Sequence, residues 1–178
     1  MSSRLGIAVA ITIVVVFLSV LGAYILRDTV DNVKAEPEPG SGVAAALADA
    51  RPAQKPFEGL TEAQLALADK CLLVAIADQD AERVEGLRDA LDLGPYDGMI
   101  FVYDQDTSAR FTMANTPLPL DIGFYDAAGA LINRLRMEPC PQGTDASCPT
   151  YAPERPFRYA LEVPAGSGTA GAIGSCAA

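Results

Sequence analysis

Four polar residues are the strongest candidates for chemistry in this sequence. Asn115 and Thr116 precede the run Pro117-Leu118-Pro119-Leu120, Asp121 closes it, and Glu162 lies in an alternating apolar stretch near the C-terminal end. An amide, a hydroxyl and two carboxylates gathered on one cleft would hold a polar ligand such as a sugar or a peptide. Two carboxylates can also work as general acid and base, and the distance between them decides whether they do. The plainer reading is that Thr116 and Asp121 satisfy backbone donors in a proline-rich turn. The chain has no His, which removes imidazole bases, His-containing triads and His ligation of metals. No residue is assigned a catalytic role.

Other polar clusters have simpler explanations. Asp78-Gln79-Asp80-Ala81-Glu82 and Asp104-Gln105-Asp106 lack the loop glycine and distal Glu of an EF-hand, so helix capping and a solvated turn account for them. Gly166-Ser167-Gly168-Thr169-Ala170-Gly171 lacks the lysine of a phosphate loop and reads as a turn. Neither a metal nor a cofactor is expected.

The four cysteines, Cys71, Cys140, Cys148 and Cys176, allow three pairings. Cys140 and Cys148 enclose a short stretch with Pro141 and Gly143, and a bond there would contribute about 2 to 3 kcal/mol through the unfolded chain. This spacing is wider than a C-x-x-C redox pair and favours a structural disulfide. Cys71 and Cys176 then pair by elimination, closing a long loop worth about 4 to 5 kcal/mol in the same treatment.

The cysteines all follow an uncharged apolar run from Leu5 to Leu26. At about 1.5 Å per residue this run spans about 33 Å as a helix, enough to cross a bilayer. It is longer than the apolar region of a cleaved signal peptide and lacks a good cleavage site. The expected arrangement is a cytoplasmic N-terminus over 1–4, a transmembrane signal anchor over 5–26, a flexible Ala, Pro and Glu linker over 27–59, and an extracytoplasmic domain over 60–178. Flanking charges orient the anchor poorly, with Arg4 on one side and Arg27 and Lys34 on the other. Paired cysteines supply the orientation, because disulfides persist in oxidising compartments. The formal net charge of −10 repels phosphate backbones and makes nucleic acid an unsuitable partner.

Within the domain, Thr61-Glu62-Ala63-Gln64 has capping-box spacing and predicts a short helix towards Ala68. Cys71 to Ala77 and Met99 to Tyr103 read as strands, with a short helix between them carrying Ala81, Val84 and Leu87 inward. Ile122 to Tyr125 and Ala130 to Met137 form a hairpin across Asp126-Ala127-Ala128-Gly129. Phe157, Tyr159, Leu161 and Val163 alternate with Arg158, Ala160 and Glu162, predicting one buried and one more polar face. The fold class is mainly β, a β-rich α+β domain, with a small barrel-like, mostly antiparallel sheet and one or two short helices.

Three segments carry a resemblance to a known family. They are Glu82-Arg83-Val84-Glu85-Gly86-Leu87-Arg88, Asp97-Gly98-Met99-Ile100-Phe101-Val102-Tyr103, and Phe111-Thr112-Met113-Ala114-Asn115-Thr116-Pro117-Leu118-Pro119-Leu120-Asp121. In this order, and followed by Cys140 to Tyr151 and Tyr159 to Gly166, they resemble the bacterial and archaeal domain-of-unknown-function 192 family from about Cys71 to Ser175. The resemblance implies a compact, mostly β fold and no established activity. It also marks departures: the family carries Trp and a basic residue where this chain has Thr112 and Ala114, and Met where it has Arg88.

The leading expectation is a noncatalytic module, tethered to the membrane through Leu5 to Leu26, that holds a polar ligand or a membrane-protein partner. The alternatives are a hydrolase of envelope saccharides or peptides using Asp121 and Glu162, and an accessory subunit of an integral membrane complex.

Overall fold

A computed structural model describes residues 41–177. The anticipated anchor at Leu5 to Leu26 lies outside them, and no helix among the described residues is long and apolar enough to cross a membrane. The chain runs through α1 (Ser41–Ala48), β1 (Arg51–Pro52), β2 (Thr61–Leu67), β3 (Lys70–Ala77), α2 (Asp80–Glu85), β4 (Gly98–Thr107) and β5 (Phe111–Thr112). It continues through β6 (Leu120–Tyr125), β7 (Leu131–Met137), β8 (Thr150–Tyr151), β9 (Phe157–Pro164) and β10 (Ile173–Ser175).

Eight strands form one sheet in the order β1-β2-β3-β4-β9-β6-β7, with β10 also on β2, while β5 and β8 make a separate ribbon. The pairings are antiparallel except β3 with β4, which run parallel, so the sheet is mixed. The parallel pair requires a crossover, supplied by α2 and the segment that follows it. The barrel expectation is corrected to an open, curled sheet. Curling brings the Asp126–Gly129 turn to β10, where Ile173 donates to the Gly129 carbonyl at 2.9 Å. No ladder joins β7 to the far edge, so closure stops at that contact.

Both faces are packed. On one, Met99, Phe101, Ile122, Phe124, Met137 and Phe157 are covered by Leu87 and Leu93 of the crossover and by Phe111 and Met113. On the other, Leu65, Val74, Ile100, Tyr125, Leu161 and Ile173 pack with Val43 and Ala46 of α1. Strand β9 is internal and supplies both cores, so the expected polar face is covered beyond the partly exposed Arg158: Ala160 is fully buried and Glu162 is 4% exposed. The two disulfides are Cys71–Cys176 and Cys140–Cys148.

Three local expectations change. The helix expected from Thr61 towards Ala68 is instead strand β2 over Thr61–Leu67, whose Glu62 carboxylate turns into the core to meet Arg51 at 2.7 Å and the Tyr96 hydroxyl at 2.5 Å, partners remote in sequence. In α2 the reciprocal contact comes from Glu82, which accepts from the Gln79 N–H at 2.9 Å. Val84 is 70% exposed and Ala81 also faces outward, leaving Leu87 as the buried anchor of that segment. Residues 41–52, anticipated as linker, hold α1 and β1, and Val43 and Ala46 are buried against the sheet.

Candidate functional site

Glu162 owes its position to β9, which lies between β4 and β6 and sets Glu162 opposite Met99 on one side and Ile122 on the other. Gly98 allows this approach, since a Cβ there would stand 2.2 Å from the Glu162 carbonyl oxygen. On the face above, α2 ends at Gly86, whose φ of 51° suits glycine. That turn carries Arg83 and Arg88 to the rim of a cleft of about 510 Å³.

Phe101, Tyr103, Phe111 and Met113 form the cleft walls, and Glu162 lies in its floor. Phe101 and Phe111 meet edge to face with centroids 5.0 Å apart. The Glu162 carboxyl forms no ion pair or hydrogen bond with the described residues, and burial pushes its pKa up to about 8. It is therefore mostly protonated at neutral pH. Burial also raises the Tyr103 hydroxyl, opposed by Arg83 and assisted by Glu162.

The rim is cross-braced. Arg83 lies over the Tyr103 ring at 4.9 Å from its centroid. Its guanidinium also donates to the Val102 carbonyl at 2.7 Å and to Asp80 at 2.6 Å. Arg88 donates to the Ala114 carbonyl at 3.0 Å and to Asp145 at 2.6 Å, tying the end of the α2 segment to the loop closed by Cys140–Cys148. Arg110 donates to the Thr150 hydroxyl at 2.8 Å across the β5–β8 ribbon.

Of the four anticipated ligand-binding residues, Thr116 and Glu162 line this cleft. Thr116 is buried and its hydroxyl donates to the Ala114 carbonyl at 3.4 Å. Asn115 is exposed and outside the cleft lining; its backbone, at φ 58°, bridges Cys140 and Asp89. Asp121 is separated from the site by the sheet itself. It pairs in register with Val163, whereas Glu162 pairs with Ile122, and the two acids leave opposite faces. The Asp121 carboxylate accepts from Arg136 at 2.5 Å and from the Gly166 N–H at 2.8 Å. Burial works against ionisation there, but these donors hold its pKa below the ordinary value. An acid–base pair of Asp121 and Glu162 is thus not assembled, which removes the geometric basis of the hydrolase alternative.

Arg83, Arg110 and Asp145 are rim groups that no candidate-site pattern in the sequence marks. Arg88 and Thr112, both departures from the family pattern, line the cleft. Asp80, which belongs to an acidic cluster read as capping, is committed to Arg83, and Asp106 pairs with Arg158 at 2.9 Å.

The chain is similar to two solved structures. One, from Novosphingobium aromaticivorans DSM 12444, is described as a protein of unknown function. It is 25% identical over 75% of this chain and 98% of its own, with a TM-score of 0.57. The other, from Sinorhizobium meliloti 1021, is described as a “putative transcription regulator”. It is 24% identical over 62% of this chain and 88% of its own, with a TM-score of 0.52, and bears on the fold alone. No curated protein matches. The sequence pattern of the family described as “Uncharacterized ACR” matches residues 63–174, more than half of the chain, which therefore belongs to the DUF192 family, whose function is not established.

Proposed function

We propose that this protein is a membrane-tethered, noncatalytic module whose domain works outside the cytoplasm and holds a small polar ligand in the cleft above Glu162. The observation that carries this reading is the Glu162 carboxyl itself, 4% exposed and without a hydrogen-bond partner among the described residues, in the floor of an aromatic-walled cleft. The Glu162 oxygens reach the cleft surface rather than being sealed in the core, so a ligand donor can pair with them. The apolar run from Leu5 to Leu26 supports the tether, and two disulfides support an oxidising compartment. The net charge of −10 argues against carrying the transcription-regulator description over to this chain.

Ligand-observed NMR with a library of small polar compounds tests the cleft. The comparison protein is Thr112→Trp, which fills the cleft from the rim ribbon. Compounds should bind the unaltered protein and lose at least about tenfold in affinity with the Trp variant, an effect of steric exclusion. Equal binding to both proteins would remove the cleft from the proposal.

A further inference from the structure

We propose that the ligand is a small organic amine, whose ammonium group docks on the Glu162 carboxylate between the aromatic walls of the cleft. This deepens the ligand-binding reading and rests on it. The floor offers one acid without a partner among the described residues, and once ionised it would accept a charge-assisted hydrogen bond from an ammonium. The walls add the rings of Phe101, Phe111 and Tyr103, whose π faces attract a cation. One cation already uses this wall, since the Arg83 guanidinium sits 4.9 Å from the centre of the Tyr103 ring.

The charges around the cleft permit entry of a cation. From α2, Asp80 faces Arg83, and Glu85 adds a further acid at the mouth. From the disulfide loop, Asp145 faces Arg88. Arg110, before β5, adds a cation at the rim, and Tyr103 on β4 is the titratable neighbour whose ionisation Glu162 opposes. Three basic and three acidic side chains thus nearly cancel at the rim, leaving Glu162 to set the preference of the floor. The chain's net charge of −10 favours approach of cations over anions.

Binding is coupled to a proton. The empty cleft holds Glu162 as a neutral acid at pH 7; the amine enters as an ammonium, the carboxyl ionises, and its proton leaves to solvent. With a pKa of about 8 for the empty site, about 0.9 proton is released per amine bound at pH 7.

Isothermal titration calorimetry of the full chain in mild detergent tests this with benzylamine and its isostere benzyl alcohol, in buffers of different ionisation enthalpy. Benzylamine should bind at least about tenfold more tightly than the alcohol and release close to one proton. Its affinity should rise about tenfold per pH unit between about pH 6 and 7.5, because protonation of Glu162 competes with the amine. Glu162→Gln should abolish the pH dependence and weaken binding at least about tenfold, with circular dichroism confirming the fold. The wild-type pH profile and proton release test the same point without a variant. A peptide with one lysine and blocked termini, run in parallel, separates a small free amine from an amine presented by a larger molecule; the free amine should bind more tightly. Equal binding of alcohol and amine would overturn the amine class while leaving the ligand cleft intact. Binding of amine without proton release, or of the peptide alone, would also overturn it. Failure of both benzyl compounds, together with an empty compound screen, would overturn this inference and the cleft reading together.

Discussion

Replacing Glu162 with glutamine removes an ionisable group from the cleft floor while keeping its size and shape. In the wild-type protein this carboxyl titrates at about 8 rather than at the ordinary 4.5 because it is buried without a partner. Each unit of such a shift corresponds to about 1.4 kcal/mol. The folded protein holds the proton more tightly than the unfolded chain. The contribution of Glu162 to stability is therefore fully present below about pH 4.5 and is lost as pH rises to about 8. Between about pH 5 and pH 8 the loss is roughly 3 to 4 kcal/mol. Glu162→Gln should lack this loss, so the difference in unfolding free energy between the two proteins should move in favour of the variant by that amount. Denaturant unfolding of both proteins at several pH values, with the disulfides intact, measures it, and other titrating groups cancel in the difference. Parallel stability curves from pH 5 to 8 would refute the reasoning, because they would mean that Glu162 ionises in the folded protein as easily as in the unfolded one.

Other perturbations have equally definite outcomes. Arg88→Ala removes the brace to Asp145 and the Ala114 carbonyl, so amide hydrogen exchange in 141–147 should accelerate while β4 and β9 stay protected. Phe157→Ala empties a fully buried aromatic position between Phe124 and Tyr103 and should cost about 3 to 5 kcal/mol by denaturant unfolding. Replacing Cys71 and Cys176 together by serine should lower stability by about 4 to 5 kcal/mol, against about 2 to 3 for the Cys140 and Cys148 pair, because the first closes a loop of 105 residues and the second one of 8. An equal loss from both would contradict the chain-entropy explanation. Tyr96→Phe removes a donor to Glu62, whose pKa is held low by Tyr96 and then by Arg51. The Glu62 contribution is present above the ordinary carboxylate pKa and lost as pH falls through the lowered one, so the variant should show a weaker loss of stability on acidification.

Local chemistry predicted much of the sheet. The apolar run of β3 and the Asp126–Gly129 turn between β6 and β7 follow from neighbouring residues, because burial and turn geometry act over a few positions. The helix forecast at Thr61 did not survive, since the spacing of Thr61 and Gln64 says nothing of Arg51 and Tyr96, which draw Glu62 into the core. The polar face expected of β9 failed for a related reason: the alternation was present, but the strand lies inside the sheet, and the crossover covers its second face. Thr116 and Glu162 were identified from residue type, yet their separation from Asp121 depends on a one-residue difference in strand register that only the fold reveals. Arg83 and Arg88 reach the cleft because Gly86 turns the chain between them, a placement set by backbone geometry rather than by a charge pattern.

In the proposed arrangement Glu162 is an unpaired acid at the floor of the cleft that takes a cation. Carboxyl carbon-13 NMR of glutamate-labelled protein, with the Glu162 signal assigned by its loss in Glu162→Gln, reads that state directly. Without ligand the signal should titrate near 8, and saturating benzylamine should move its midpoint downward by at least about one unit. A Glu162 signal that titrates near 4.5, unmoved by the amine, would contradict the account.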